Sequence, residues 1–130
     1  MLMKSILLTA ATLSLFAAPA LAEDYMDGAV KSVDIGGKMV LTDANGMTLY
    51  IFDKDAPGVT NCYEKCAVNW PPLMAETGAT ASGDFTIVDR TDGTAMWAYK
   101  GWPLYYWKDD VAAGDISGDG VGGVWHLAIE

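Results

Sequence analysis

Polar and apolar residues along this chain alternate mostly with a period of two, the signature of strands rather than helices. Ala29 to Ile35 reads as a strand, Gly36-Gly37 as a turn, and Met39 to Thr42 as a second extended run. Asp43-Ala44-Asn45-Gly46 is a hairpin connection, because Asn-Gly tolerates positive φ, and Met47 to Phe52 is the strand expected to return from it. The plan recurs downstream. Phe85 to Asp89 is a strand turned by Asp92-Gly93, Met96 to Tyr99 follows, Lys100-Gly101 turns the chain, and Pro103 to Trp107 returns. Val124 to Ile129 is the last predicted strand. One short helix is expected, within Asn61 to Val68, stopped by Pro71-Pro72. Glu76 to Gly83 reads as a joining loop.

The recurrence keeps a fixed offset of 55 residues: Gly46, Leu49, Tyr50, Asp55 and Trp70 return as Gly101, Leu104, Tyr105, Asp110 and Trp125, and Phe52 returns as Trp107. Such a spacing points to one supersecondary unit built twice, with its copies packed together. The expected fold is mainly β: one small domain of two pseudo-repeated β-hairpin halves, about 38–75 and 93–130, with a short helix at the cysteine segment. Neither half is large enough to bury its aromatics alone.

Residues 1–22 read as a secretory signal peptide. Lys4 is its positive start, Ile6 to Ala18 its apolar stretch, and Ala20-Leu21-Ala22 its cleavage site, leaving 23–130 as the domain. Removal of Lys4 with the leader leaves seven basic against 17 acidic side chains, a formal charge of −10. That balance argues against nucleic acid and anionic lipid as partners and suits a periplasmic or secreted protein. No transmembrane segment is expected after cleavage. Cys62 and Cys66 then sit in an oxidising compartment, where the i, i+4 spacing would bring them together on one helical turn as a disulfide. The small loop it closes would contribute roughly 2 kcal/mol.

Tyr50-Ile51-Phe52-Asp53-Lys54-Asp55 and Tyr105-Tyr106-Trp107-Lys108-Asp109-Asp110 share the pattern Tyr, x, aromatic, x, x, Asp. On a strand Tyr50 and Phe52 point one way while Leu49 and Ile51 point the other, so both faces are apolar. Such strands are covered on both sides or leave one face to a ligand. Asp55 and Asp110 are expected to accept backbone N–H bonds in the turns that leave these strands; the sharper alternative is a polar contact at a binding site. With Cys62-Tyr63-Glu64-Lys65-Cys66, Trp70-Pro71-Pro72 and the glycine-rich Gly118 to Trp125 segment, the chain resembles the bacterial secreted-repeat family of predicted lipoproteins with a Tyr-x-(Phe/Trp/Tyr)-x-x-Asp motif. The resemblance implies export and a duplicated architecture. It implies no catalytic residues, and no lipobox Cys is found here.

Candidate chemistry is sparse. From residue 23 on, the chain carries six Tyr, five Trp and two Phe. Trp70 and Trp125 are expected at the centre of the core, while Tyr63, Trp102, Tyr106 and Trp107 could form a surface that stacks on sugars or another apolar ligand. Cys62 and Cys66, with the only histidine, His126, and Met74 or Met96, could instead bind copper or act as redox thiols. Asp115, Ser117 and Asp119, followed by Gly120, space oxygens like the start of a calcium loop, but His126 stands where the closing acidic ligand belongs. No catalytic constellation is recognisable. The reading is therefore a non-enzymatic binding or interaction module for an unidentified small ligand or envelope protein, with a copper-binding or thiol redox protein as the alternative.

Overall fold

The computed structural model describes residues 22–130, so the signal-peptide segment lies outside the described residues apart from Ala22. Two hairpins form the frame. In the first, β2 (Val30–Ile35) pairs antiparallel with β3 (Lys38–Asp43) around Gly36-Gly37, and β1 (Asp24–Tyr25) adds to the outer edge of β2. Both turn glycines have positive φ, +61° and +85°, which a side chain would disfavour. In the second, β5 (Phe85–Asp89) pairs with β6 (Ala95–Tyr99), which also carries the short β7 (Trp102–Pro103). A separate pair joins β4 (Tyr50–Phe52) to β8 (Trp125–Leu127).

The two halves correspond in register, with two compensating changes. Val33 pairs with Val40, and its counterpart Val88 with Met96. The second hairpin is thus one residue longer, because Arg90 N–H bonds Thr94 C=O around Thr91-Asp92-Gly93. The next connection is one residue shorter: Thr42 bridges Thr48, whereas Ala98 pairs with Pro103. The offset therefore returns to 55 before Leu104, and the echo hides an insertion and a deletion.

The returning strands differ from expectation. Met47 to Phe52 is a strand only over Tyr50–Phe52, Pro103 to Trp107 contributes only its first residue to β7, and Val124 to Ile129 is a strand over Trp125–Leu127. Each run leaves its own hairpin and crosses to the other half. Leu49 N–H bonds Leu41 C=O in its own half, but Leu49 C=O accepts from Ala128 N–H. In the second half Leu104 N–H bonds Trp97 C=O, and Leu104 C=O accepts from Leu73 N–H. Between them Tyr50 and Tyr105 exchange both backbone bonds, at 2.8 and 3.0 Å. The reciprocal Tyr50–Tyr105 pair marks the pseudo-twofold axis.

The helix α1 (Lys65–Asn69) is shorter and later than expected. Cys62 lies before it, and the chain turns at Glu64, where φ is +53°. The Cys62–Cys66 disulfide forms, with Cα atoms 5.2 Å apart, but it pins a loop residue to the first turn rather than joining two helical positions. Among the described residues no helix is long and apolar enough to cross a membrane.

Candidate functional site: an aromatic stack flanked by crossed Tyr–Asp pairs

Trp70 and Trp125 stack face to face on the pseudo-twofold axis, with centroids 3.8 Å apart and planes within 3°. Phe52 lies on the far face of Trp125 at 4.2 Å, and Trp107 against Trp70 at 4.2 Å. The resulting four-ring column, Phe52–Trp125–Trp70–Trp107, alternates between the halves. Tyr50 meets Trp70 edge-on at 5.4 Å, and Tyr105 meets Trp125 edge-on at 5.1 Å. The two edge-on contacts suit the ring quadrupoles. Gly118 is required beside them. A Cβ there would lie 2.9 Å from Trp107, Trp70 and Tyr50 ring atoms.

The motif aspartates serve the opposite half. Tyr50 donates its hydroxyl proton to Asp110 at 2.5 Å, and Tyr105 donates to Asp55 at 2.6 Å. The second carboxylate oxygens hold the turns: Asp55 accepts from Asn61 N–H, and Asp110 from the Ser117 N–H and hydroxyl. The turn role expected for Asp55 and Asp110 is thus present, joined by a buried bond across the axis that neither motif reveals alone. Burial pushes both tyrosine hydroxyls far above the usual phenol range, and the carboxylate partners add to it.

The two pairs differ in their surroundings. Arg90, buried and not anticipated from the sequence, extends a chain of bonds through Thr60 to Tyr105. Since Tyr105 donates to Asp55, the Thr60 hydroxyl donates to Tyr105 and accepts from Arg90. Arg90 also donates to Cys62 C=O at 2.8 Å and lies 4.5 Å from the Tyr63 ring centroid. The corresponding position in the first half is Ile35, and Ser117 and Val121 stand where the other half has Cys62 and Cys66. On that side Tyr50 accepts from the Gly118 N–H instead. An isolated Arg amid turn residues carries no periodic signal, which is why its burial was illegible.

Asp55 shows a consequence that can be measured. Burial raises its carboxyl above the ordinary 3.8, outweighing the bonds from Tyr105 and Asn61 and the charge of Arg90. The folded chain then holds this proton more tightly than the unfolded chain. Its contribution to stability is full below pH 3.8 and is lost as pH rises through the raised folded value. A carbon NMR titration should place the Asp55 midpoint above 3.8; one at or below that value overturns the assignment.

The other candidates are dispersed. Tyr63 accepts from Thr91 N–H beneath Arg90, Tyr106 donates to Asp43, and Trp107 belongs to the column. Trp102 lines a cleft of 170 Å³ with Ile51, Tyr99 and Ile129. His126 Nε2 lies 2.8 Å from Asp53 on the surface, and the Cys62 and Cys66 sulfurs are bonded to each other. Met74 is exposed, whereas Met96 is buried and accepts from Arg90 through its sulfur. The loop oxygens proposed for calcium are used locally: Asp115 accepts from Val111 and Ala112 N–H, Ser117 donates to Asp110, and Asp119 accepts from Leu127 N–H. Among the described residues no group of three His, Cys, Asp or Glu is placed to hold a metal ion.

A family model described as a secreted repeat of unknown function matches the chain twice, over residues 29–74 and 86–129. The chain belongs to this secreted-repeat family. Its two matches cover the two hairpins and the crossed returns that follow them, so each family repeat supplies one Tyr, one Asp and two rings of the column. No curated protein and no solved structure matches the chain.

Proposed function

We propose that this secreted-repeat protein is a non-catalytic binding module that works in the periplasm or outside the cell. The observation that carries this reading is the use of the motif's polar groups. Both tyrosine hydroxyls and both partner carboxylates are spent on one another and on nearby backbone, inside the fold. A motif consumed in this way builds a scaffold, and contact with a ligand falls to the surface. Support for a location comes from a cleft of 270 Å³ where Leu73 and Trp97 meet the exposed Met74. It adjoins a second cleft of 470 Å³ that shares Met74, Glu76 and Ala79. An apolar wall with one polar margin suits a small apolar or sugar-like ligand.

The test is a titration of the protein with cell-wall sugars, short acyl chains and envelope peptides, read in amide and indole NMR spectra. Saturable shifts centred on Trp97 and Met74, lost in Met74→Asp, support the reading. Unchanged spectra across the panel overturn it. So would copper uptake abolished by Cys62→Ser, which favours the metal or thiol redox alternative.

A further inference from the structure

We propose that the aromatic column is a one-electron relay that carries an oxidising equivalent from Trp107 to Tyr50, with Asp110 taking the tyrosine proton. Four observations support it. The rings are in contact without a break: Trp107 to Trp70 at 4.2 Å, then Trp70 to Tyr50 at 5.4 Å. Electron exchange between rings falls off steeply with distance, so contact of this kind makes each hop fast.

The column has one usable entrance. Trp107 is half-buried at one end, whereas the other end is Phe52, buried and much harder to oxidise than an indole. The two inner indoles, Trp70 and Trp125, are each 4% exposed and are reached only through their neighbours.

The column is flanked by phenols already bonded to bases. Oxidising a phenol makes its proton strongly acidic, so a carboxylate at 2.5 Å receives that proton within an existing hydrogen bond. In a low-dielectric interior, this spares the site a net positive charge.

The two phenols are not equivalent. Tyr105 is tied through Thr60 to the Arg90 guanidinium, whose positive charge opposes a hole there. Tyr50 is bonded instead to the Gly118 N–H and Asp110, with no cationic side chain in the network. The hole therefore comes to rest on Tyr50.

The steps balance. A one-electron oxidant at the surface takes an electron from Trp107. Trp70 refills Trp107, and Tyr50 refills Trp70. The Tyr50 O–H bond breaks as an O–H bond forms on the Asp110 carboxylate, leaving a neutral tyrosyl radical and a reduced oxidant. A later one-electron reductant reverses the sequence and returns the proton.

The experiment is flash-quench oxidation with tris(bipyridine)ruthenium(III), a cationic probe suited to this acidic chain, followed by transient absorption and paramagnetic resonance. A Tyr25→Phe, Tyr63→Phe, Tyr106→Phe background removes the three half-buried phenols outside the column. A tryptophan radical should convert to a tyrosyl radical, more slowly in heavy water. Tyr50→Phe should abolish the tyrosyl signal, Tyr105→Phe should retain it, and Trp107→Phe, which closes the entrance, should abolish it. A tyrosyl signal that survives Tyr50→Phe overturns the proposal. So does its absence from the parent protein, or formation at the same rate in heavy water, a measurement that needs no variant of the column.

Discussion

Trp125→Ala lowers the unfolding free energy by about 3–5 kcal/mol, the range for removing a large buried aromatic. Trp125 is 4% exposed and touches the column on three sides: Trp70 at 3.8 Å, Phe52 at 4.2 Å and Tyr105 edge-on at 5.1 Å. Its removal opens a void on the axis, where rings from both halves meet and neither hairpin can move in without breaking the Tyr50–Tyr105 backbone pair. Dispersion lost on both ring faces adds to the hydrophobic cost. Urea unfolding of the variant beside Trp102→Ala is the check. Trp102 is half-buried at the rim of a surface cleft, so its loss should cost about 1 kcal/mol or less. Equal costs for the two would mean that the column does not hold the halves together.

Asp110→Ala costs about 3 kcal/mol, because it leaves the buried Tyr50 hydroxyl without its acceptor and strips the Ser117 N–H and hydroxyl of theirs. The Gly118 N–H cannot compensate, since it is itself a donor to Tyr50. Combined with Tyr50→Phe, the loss should be less than additive, because the phenol left unpaired in Asp110→Ala is then gone. Asp53→Ala provides the contrast. It removes an exposed partner of His126 and should change stability by about 1 kcal/mol or less. A cost for Asp110→Ala as small as that for Asp53→Ala would remove the crossed pairs from the account of the fold.

Both effects follow from the way the halves interlock. Each motif tyrosine finds its acid in the other copy, and each copy's terminal segment pairs with the other's return: Leu73 with Leu104, Ala128 with Leu49. Once the pairing is reciprocal, the halves are free to differ off the axis. They do so at Ile35 and Arg90, at Ser117 and Cys62, and at Phe52 and Trp107. Those differences place a buried cation and a disulfide on one side and a close-packed glycine segment on the other.

The hairpins, their glycine turns, the duplication and the central tryptophans were legible in the sequence alone, because period-two patterning, turn chemistry and a constant spacing are local or one-dimensional signals. The disulfide was legible as well, through residue type and compartment, although its backbone setting was not. Only the tertiary structure decided which half each return segment joins, that Tyr50 bonds Asp110 rather than its own Asp55, and that Arg90 lies buried against the Tyr63 ring. The physical reason is that an antiparallel partner and a buried acceptor are selected by packing across the axis, where candidates in the two copies look alike along the chain and the crossed arrangement satisfies both hydroxyls while closing the ring column.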